Sequence, residues 1–590
     1  MTYDDDERPM VGSSYRPKSR RCCIVSVLSV SLALILILAI AIPVGMNNAK
    51  KGDDNGGVSP ACDATSYPDR CRQEMKSSDG TFEGMSKVGL MSSDENLQTL
   101  QNSTSNQDCH DLLEQARESI REVFNETVYG TPDSRLAACD DMQTKLSAAI
   151  EQVDTCQTIL DELQSPEFQS YPVPAQNATQ ILSIVLAITN AFCKYGGDIK
   201  QWKETFNLPD DFNFNFNFDG EQPAPSPGGQ RRLLNAEDFE DTSDGSFEDA
   251  VVPSWMDSAT SRHLLARPRS YNVIVAKDGS GKYRTVMEAI NKAPQSGKKD
   301  AKRYVIYVKA GIYNEQIIVP KKLTNLMIIG DGIDKTIFTG SRSVMLTRGM
   351  TTFASGTMII SGAFGFIGKF FTVRNTAGSA GHQAVACRVS ADQVAFYRVK
   401  FDSFQDTLYA HTFRQFYSQC IVQGTVDFMF GNGNAVFQNC QIIAKKSQLL
   451  GQQNTYTAQG RTDPHMNTGL AFQDCNFEAA RDLKQNVKQY PTFLGRPWKQ
   501  YSVCVLLRPT LQAHIDPTGW MPWNTTSFGL YTSFFAEYKG KGPGSNTRYR
   551  VKWSHQIKDP RTANKYQAGS FVRGKNWLPD LGIPYSLVSV

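Results

Sequence analysis

One short pattern recurs at a nearly fixed interval past the middle of this 590-residue chain. It reads Phe396-x-x-Val399-x-Phe401, then Tyr417-x-x-Cys420-x-Val422, then Phe437-x-x-Cys440-x-Ile442, and after a longer insertion Phe472-x-x-Cys475-x-Phe477. The first three aromatic leads are 21 and 20 residues apart. A repeat of that length with one strand per copy cannot bury its own apolar face, so the copies must stack. Stacking in register lines up equivalent side chains, and Val399, Cys420, Cys440 and Cys475 read as one internal ladder. As neighbours in it, Cys420 and Cys440 are expected to form a disulfide between adjacent coils. Short β-branched and aromatic runs at 272–276, 304–308, 326–329 and 370–373 extend the same character through residues 271–590. The expected fold of this part is mainly β, a right-handed parallel β-helix.

The repeat also carries two acids in phase. Asp406 lies 10 residues after its aromatic lead, and Asp427 lies 10 after its own. Adjacent parallel strands run about 5 Å apart, so the two carboxyl groups are expected side by side. Two carboxylates that close do not both ionise easily, and one pKa rises. Division into a nucleophile and a proton donor is a standard outcome of such a pair.

The rest of the chain is of a different kind. Arg16, Lys18, Arg20 and Arg21 precede an apolar run from Cys22 to Pro43 that holds no charged residue. It is long enough to span a bilayer, and its basic flank stays cytosolic. Residues 22–46 are therefore expected to be a transmembrane signal-anchor behind a cytosolic tail, 1–21, with a cleaved signal peptide as the rival reading; either sends the remainder into the secretory pathway. Sequons at Asn102, Asn125, Asn177 and Asn524 fit glycosylation there. Residues 55–205 place apolar side chains at three- and four-residue intervals, as in 108–124 and 140–163, which predicts an antiparallel four-helix bundle. Cys62 and Cys71 are close enough to clip a hairpin, and Cys109 can meet Cys156 across two helices. Of 13 cysteines, eleven lie outside the apolar run, so at least one thiol is expected to be unpaired.

Residues 206–270 read as a linker. They hold a Pro/Gly cluster at 224–229 and an acidic block, 235–250, with no Lys or Arg. The pattern Arg-(Arg/His)-Leu-Leu occurs there twice, at Arg231–Leu234 and Arg262–Leu265, as targets for a processing protease. Net charge is +3 and the basic residues are scattered, which argues against a nucleic-acid partner.

Five segments set polar residues within apolar context: Gly311-Ile-Tyr-Asn-Glu315, His382-Gln383-Ala-Val-Ala386, Gln405-Asp406-Thr-Leu-Tyr409, Asp427-Phe-Met-Phe-Gly431 and Leu494-Gly-Arg496-Pro-Trp498. In this order they closely resemble plant pectin methylesterases (pectinesterases), over Tyr271 to the C-terminus. The helical region in front resembles a pectin methylesterase inhibitor-type pro-region. The resemblance implies hydrolysis of the methyl esters of homogalacturonan at the cell wall, with no cofactor or metal. It implies that Asp427 is the nucleophile, Asp406 the general acid and then base, and Gln383 and Gln405 the oxyanion hole. Arg496 would hold Asp427 ionised, Trp498 would pack on the sugar, and Thr352 is similar to a substrate contact. Glu315 and His382 are expected to be structural. Cys387, Met429 and the pair Gly433-Asn434 depart from the family's usual residues, the last pair beside Asp427.

The same carboxylate pair suits a retaining glycosidase, and the scaffold suits a lyase, acting on polygalacturonate. No G-x-S-x-G or H-E-x-x-H segment occurs, so serine-esterase and zincin chemistry find no footing. The expected molecule is a monomer whose partners are methyl-esterified homogalacturonan, a linker protease, and its own pro-region or separate inhibitor proteins. As a non-enzymatic module, the bundle would hold the uncut chain inactive.

Overall fold

A computed structural model describes residues 58–199, 202 and 271–588. The expected tail, anchor and linker, with both Arg-(Arg/His)-Leu-Leu sites, lie outside the described residues.

Four long helices form the first part: α1 (Phe82–Ser103), α2 (Gln107–Tyr129), α3 (Cys139–Glu162) and α4 (Pro172–Tyr195). Their starts follow from local chemistry. The Thr81 hydroxyl accepts the Gly84 N–H at the head of α1, and the Asn106 side chain accepts the Cys109 N–H at the head of α2. Pro172 opens α4 where a missing N–H costs nothing. α4 is long and apolar enough to cross a membrane, yet its Leu182, Val185, Leu186 and Ile188 fill the bundle core. Disulfides join Cys62 to Cys71 and Cys109 to Cys156, the pairings that spacing suggests. A third, Cys139–Cys193, ties the start of α3 to the end of α4.

Residues from 271 onward wind into three parallel sheets of 11, 7 and 8 strands, a parallel β-helix. The repeat is its cause. Phe396, Tyr417, Phe437 and Phe472 pair rung to rung, and their rings stack with centroids 5.4, 4.4 and 4.8 Å apart. Arg398, Gln419, Asn439 and Asp474 turn the corner after each of these strands with φ of 50–53°. That left-handed conformation costs an L-residue energy, which the aromatic and thiol ladders on either side offset through burial.

The Cys420–Cys440 disulfide does not form; both are free, buried thiols, as are Cys387, Cys475 and Cys504. In-register positions on parallel strands send their Cβ atoms out side by side at the rung spacing of about 4.8 Å. A disulfide needs Cβ atoms about 3.8 Å apart and turned toward each other. Instead the Cys420 thiol donates to the Phe396 carbonyl at 3.6 Å, and Cys440 donates to that of Tyr417 at 3.4 Å.

The seven-stranded sheet carries the residues of interest. Its strands run in chain order: β1 (Ile317–Val319), β2 (Met358–Ser361), β3 (Cys387–Ser390), β4 (Leu408–Thr412), β5 (Met429–Gly431), β6 (Asn454–Gln459) and β7 (Thr492–Pro497). Alternation decides which side chains face out. Cys387, Val389, Leu408, Ala410 and Met429 belong to the inner core. The residues between them, Arg388, Tyr409 and Phe430, form one outward row that continues through Ala458 to Arg496.

Candidate active site

Asp406 and Asp427 each stand two residues before a strand, and the pairing of Leu408 with Met429 makes them equivalent on adjacent rungs. Both occupy left-handed backbone, φ 61° and 49°. Aspartate tolerates that region better than most residues, and the turn lifts each carboxyl to the mouth of the outward face. The Asp406 N–H is tied to the Val426 carbonyl at 3.1 Å.

The environments of the two acids differ. Asp427 is gripped by Arg496 of β7: Nε donates to Oδ1 at 2.9 Å and Nη2 to Oδ2 at 2.6 Å. This is the fork geometry that guanidinium offers a carboxylate. Thr455 adds a second hold, its hydroxyl donating to Oδ1 at 2.6 Å while its oxygen accepts the Asp427 N–H at 2.8 Å. The Arg496 guanidinium lies over the Trp523 ring, 4.3 Å from its centroid. Among the described residues Asp406 has no such partner. Burial pushes its carboxyl well above the usual range, and the charges of Asp427 and Glu162 push the same way against Arg496. The site therefore pairs a charge-stabilised carboxylate with a neighbour that retains its proton.

Gln383 and Gln405 pair directly across two rungs, half-buried at the same corner as the acids. Their amides add donors without charge. Trp498 leans edge-on to Phe430 with centroids 6.1 Å apart, and Phe430 stacks on Tyr409 at 4.2 Å. These rings, with Phe353, make an aromatic floor beside the acids. Thr352 stands next to Phe353 and is buried.

Two expected structural residues have visible places. The Glu315 carboxylate accepts the N–H groups of Val286 and Met287, both at 2.9 Å, at the start of a short helix. His382 is exposed at a turn with φ 54°.

Several neighbours carry no sequence signal of their own. Thr455 belongs to the rung after Asp427, but the insertion before it breaks the repeat. His411 is fully buried in β4, its Nδ1 at 2.9 Å from the Ser390 hydroxyl and its Nε2 at 2.8 Å from that of Thr155 in the bundle. Burial holds this imidazole well below its usual pKa, hence neutral. Its place in Tyr-Ala-His, directly after the Asp406 segment, was the available hint.

The helical bundle lies across this face. Phe353, Val385, Tyr409, Phe430, Ala458 and Met466 join the bundle's own apolar core in a single cluster. Around it, acids of the helices meet bases of the coil: Asp154 with Lys499 at 2.8 Å, Asp141 with Arg414 at 2.7 Å, Glu122 with Lys299 at 3.1 Å, and Asp140 with Arg573. Glu151 is buried at the contact and accepts from Asn432 at 2.8 Å. At the end of α3, the Glu162 carboxylate accepts from the main-chain N–H and the hydroxyl of Thr352.

Comparison with known proteins gives matches over both parts. The family "Pectinesterase" matches residues 272–575, and "Plant invertase/pectin methylesterase inhibitor" matches residues 57–188. Pectinesterase 2 of Citrus sinensis is 39% identical over 485 residues, spanning 81% of this chain and 83% of its own. Pectinesterase 1 of Citrus sinensis is 36% identical over 578 residues, 92% of each chain. The solved pectin methylesterase from carrot is 45% identical with a TM-score of 0.53, covering 55% of this chain and 100% of its own.

Proposed function

The chain belongs to the pectinesterase family, and from that premise we propose that it removes methyl groups from pectin by an aspartyl-ester mechanism at Asp427 and Asp406. The ionised Asp427 oxygen attacks the carbonyl carbon of a methyl galacturonate. The oxyanion that forms accepts hydrogen bonds from the Gln383 and Gln405 amides, which supply dipoles where charge develops. As the C–O bond to the methoxy group breaks, Asp406 gives it a proton and methanol leaves. The product is an acid anhydride between Asp427 and the galacturonate. Asp406, now a carboxylate, takes a proton from water; the hydroxide adds to the galacturonate carbonyl and opens the anhydride, restoring Asp427 as a carboxylate and freeing the galacturonic acid, which loses its proton to solvent. Trp498 packs on the sugar, and Thr352 holds the polymer beside the reacting unit.

The observation that carries this reading is the inequality of the two acids: a fork of Arg496 on Asp427, none on a buried Asp406. A glycosidase pair would need the acid poised over a glycosidic oxygen and would create new chain ends. The test follows directly. Residues 271–590 should release methanol from methyl-esterified homogalacturonan with no rise in reducing ends and no unsaturated product. New reducing ends or unsaturated uronates in place of methanol would overturn it.

The uncut chain is held inactive in this account. The carrot enzyme covers 55% of this chain with 100% of its own, about the extent of the coil, which fits a catalytic part that functions without a bundle. Cleavage at Arg231–Leu234 or Arg262–Leu265, after entry into the secretory pathway behind the 22–46 anchor, would release an active monomer into the wall. N-terminal sequencing of the wall-extracted protein identifies the cut and tells whether the anchor stays.

A further inference from the structure

Arg388 stands in the outward row of β3, one rung before Tyr409, with its guanidinium laid on the Phe353 ring 3.2 Å from the centroid. It is 5% exposed. Its Nε and Nη1 have no hydrogen-bond acceptor among the described residues. Burial lowers its pKa to about 10, opposed by the charge of Asp108 in helix α2. Asp108 does not close to an ion pair; within 4.0 Å the described residues give Arg388 no carboxylate. A buried cation with two idle donors is costly. Nothing inside the coil relieves that cost: Cys387 and Val389 on either side face the apolar core.

The bundle lies against the surroundings of Arg388, and Asp108 of α2 acts on its charge. The Phe353 beneath its guanidinium lies in the shared cluster with the helices. Undocking the bundle would expose the fork on the aromatic floor. Three residues along a strand and one rung across separate it from Asp406, at most about 11 Å at the backbone. That is too far for the reacting unit and within reach of a neighbouring sugar. The Nε–H and Nη1 groups lie on opposite edges of the guanidinium, so it is Nη1 with its neighbour Nη2 that forms an end-on edge able to meet a carboxylate at two points.

We propose that Arg388 is a specificity-determining residue that binds the free carboxylate of an already de-esterified galacturonate while a neighbouring methyl ester reacts at Asp427. The inference rests on the pectin-demethylating reading. It makes each product carboxylate a handle for the next turnover, so the enzyme favours partly de-esterified polymer and extends runs of free carboxylates.

The test uses residues 271–590, since the carrot enzyme shows this fold standing alone. Methanol release is measured on fully and half methyl-esterified homogalacturonan, with de-esterified oligogalacturonate as a competitor. Wild type should have the lower KM on the half-esterified polymer. Arg388→Gln should raise that KM about tenfold, the scale of a lost charge-assisted hydrogen bond, and raise it much less on the fully esterified one. The competitor should weaken in parallel, and kcat should hold within about twofold. Arg388→Lys keeps the charge, loses the fork and should fall between; it also serves if the Gln variant does not fold. A KM ratio unchanged by both variants, or equal losses on both polymers, overturns the role of Arg388 while leaving the esterase intact. Wild type that releases methanol from neither polymer removes the esterase reading and this one with it.

Discussion

The Glu162 carboxylate of the bundle accepts two hydrogen bonds from Thr352 of the coil, 2.8 Å from the main-chain N–H and 2.6 Å from Oγ1. The same carboxylate adds to the field that keeps the Asp406 proton in place. One acid thus plugs a wall of the site and biases its chemistry.

Glu162→Ala in the full chain should loosen that plug. Hydrogen bonds to a charged group are worth about 1.5–3 kcal/mol, so the undocked fraction should rise about tenfold or more. Methanol release by the uncut protein should rise with it, while the cut protein is unaffected. Equal activity in uncut wild type and variant would contradict the plug.

Two acids make the contact favour low pH. Burial raises the carboxyl pKa of Glu151 and of Glu162 in the docked chain. A group whose pKa is raised by docking contributes fully below its ordinary value, about 4.3, and its contribution is lost as pH climbs through the raised value. Glu122 runs the other way: burial opposes, but Lys145 and Lys299 hold its pKa down, so its share fails only in acid. His411 also runs the other way: burial holds its pKa well below the usual value, so its share is full above the ordinary histidine value, about 6.5, and is lost in acid. The acids are therefore read from a variant: in thermal melting of the uncut chain, Glu151→Gln should remove part of the loss of bundle stability that wild type shows as pH rises. Identical pH profiles for wild type and Glu151→Gln would contradict this.

Asp406→Asn should lower kcat by about 10²–10⁴-fold, the usual scale for a lost general acid, with KM little changed. A loss seen in KM alone would move Asp406 from proton transfer to binding.

The five cysteines of the coil are free and buried. Native residues 271–590 should give no rapid reaction with a thiol reagent, and five equivalents on unfolding without reductant. Three equivalents would restore a disulfide such as Cys420–Cys440.

Much of the coil was legible because its repeat is a packing rule. Phe396, Tyr417, Phe437 and Phe472 can stack only if the rungs are in register, and that register fixes Asp406 beside Asp427. The same rule misled on Cys420 and Cys440: ladder neighbours are close, yet parallel side chains do not turn toward each other. Cys139–Cys193 was missed because it depends on how α3 and α4 pack, which spacing does not encode. Arg496 was found through its motif, whereas Thr455 was hidden by the insertion that breaks the period. Glu162 lies on a helix 190 residues from Thr352 in sequence; only docking brings them together, and no local pattern announces a docking surface. Arg388 belongs to none of the five polar segments, and only the folded packing shows it buried.

The central claim is that Asp427 is the attacking group. Its most direct test is the Asp427→Asn variant of residues 271–590, assayed together for methanol release and for binding to methyl-esterified homogalacturonan. Turnover should disappear while the polymer is still bound. Methanol release at near wild-type rate by a folded Asp427→Asn protein would contradict it.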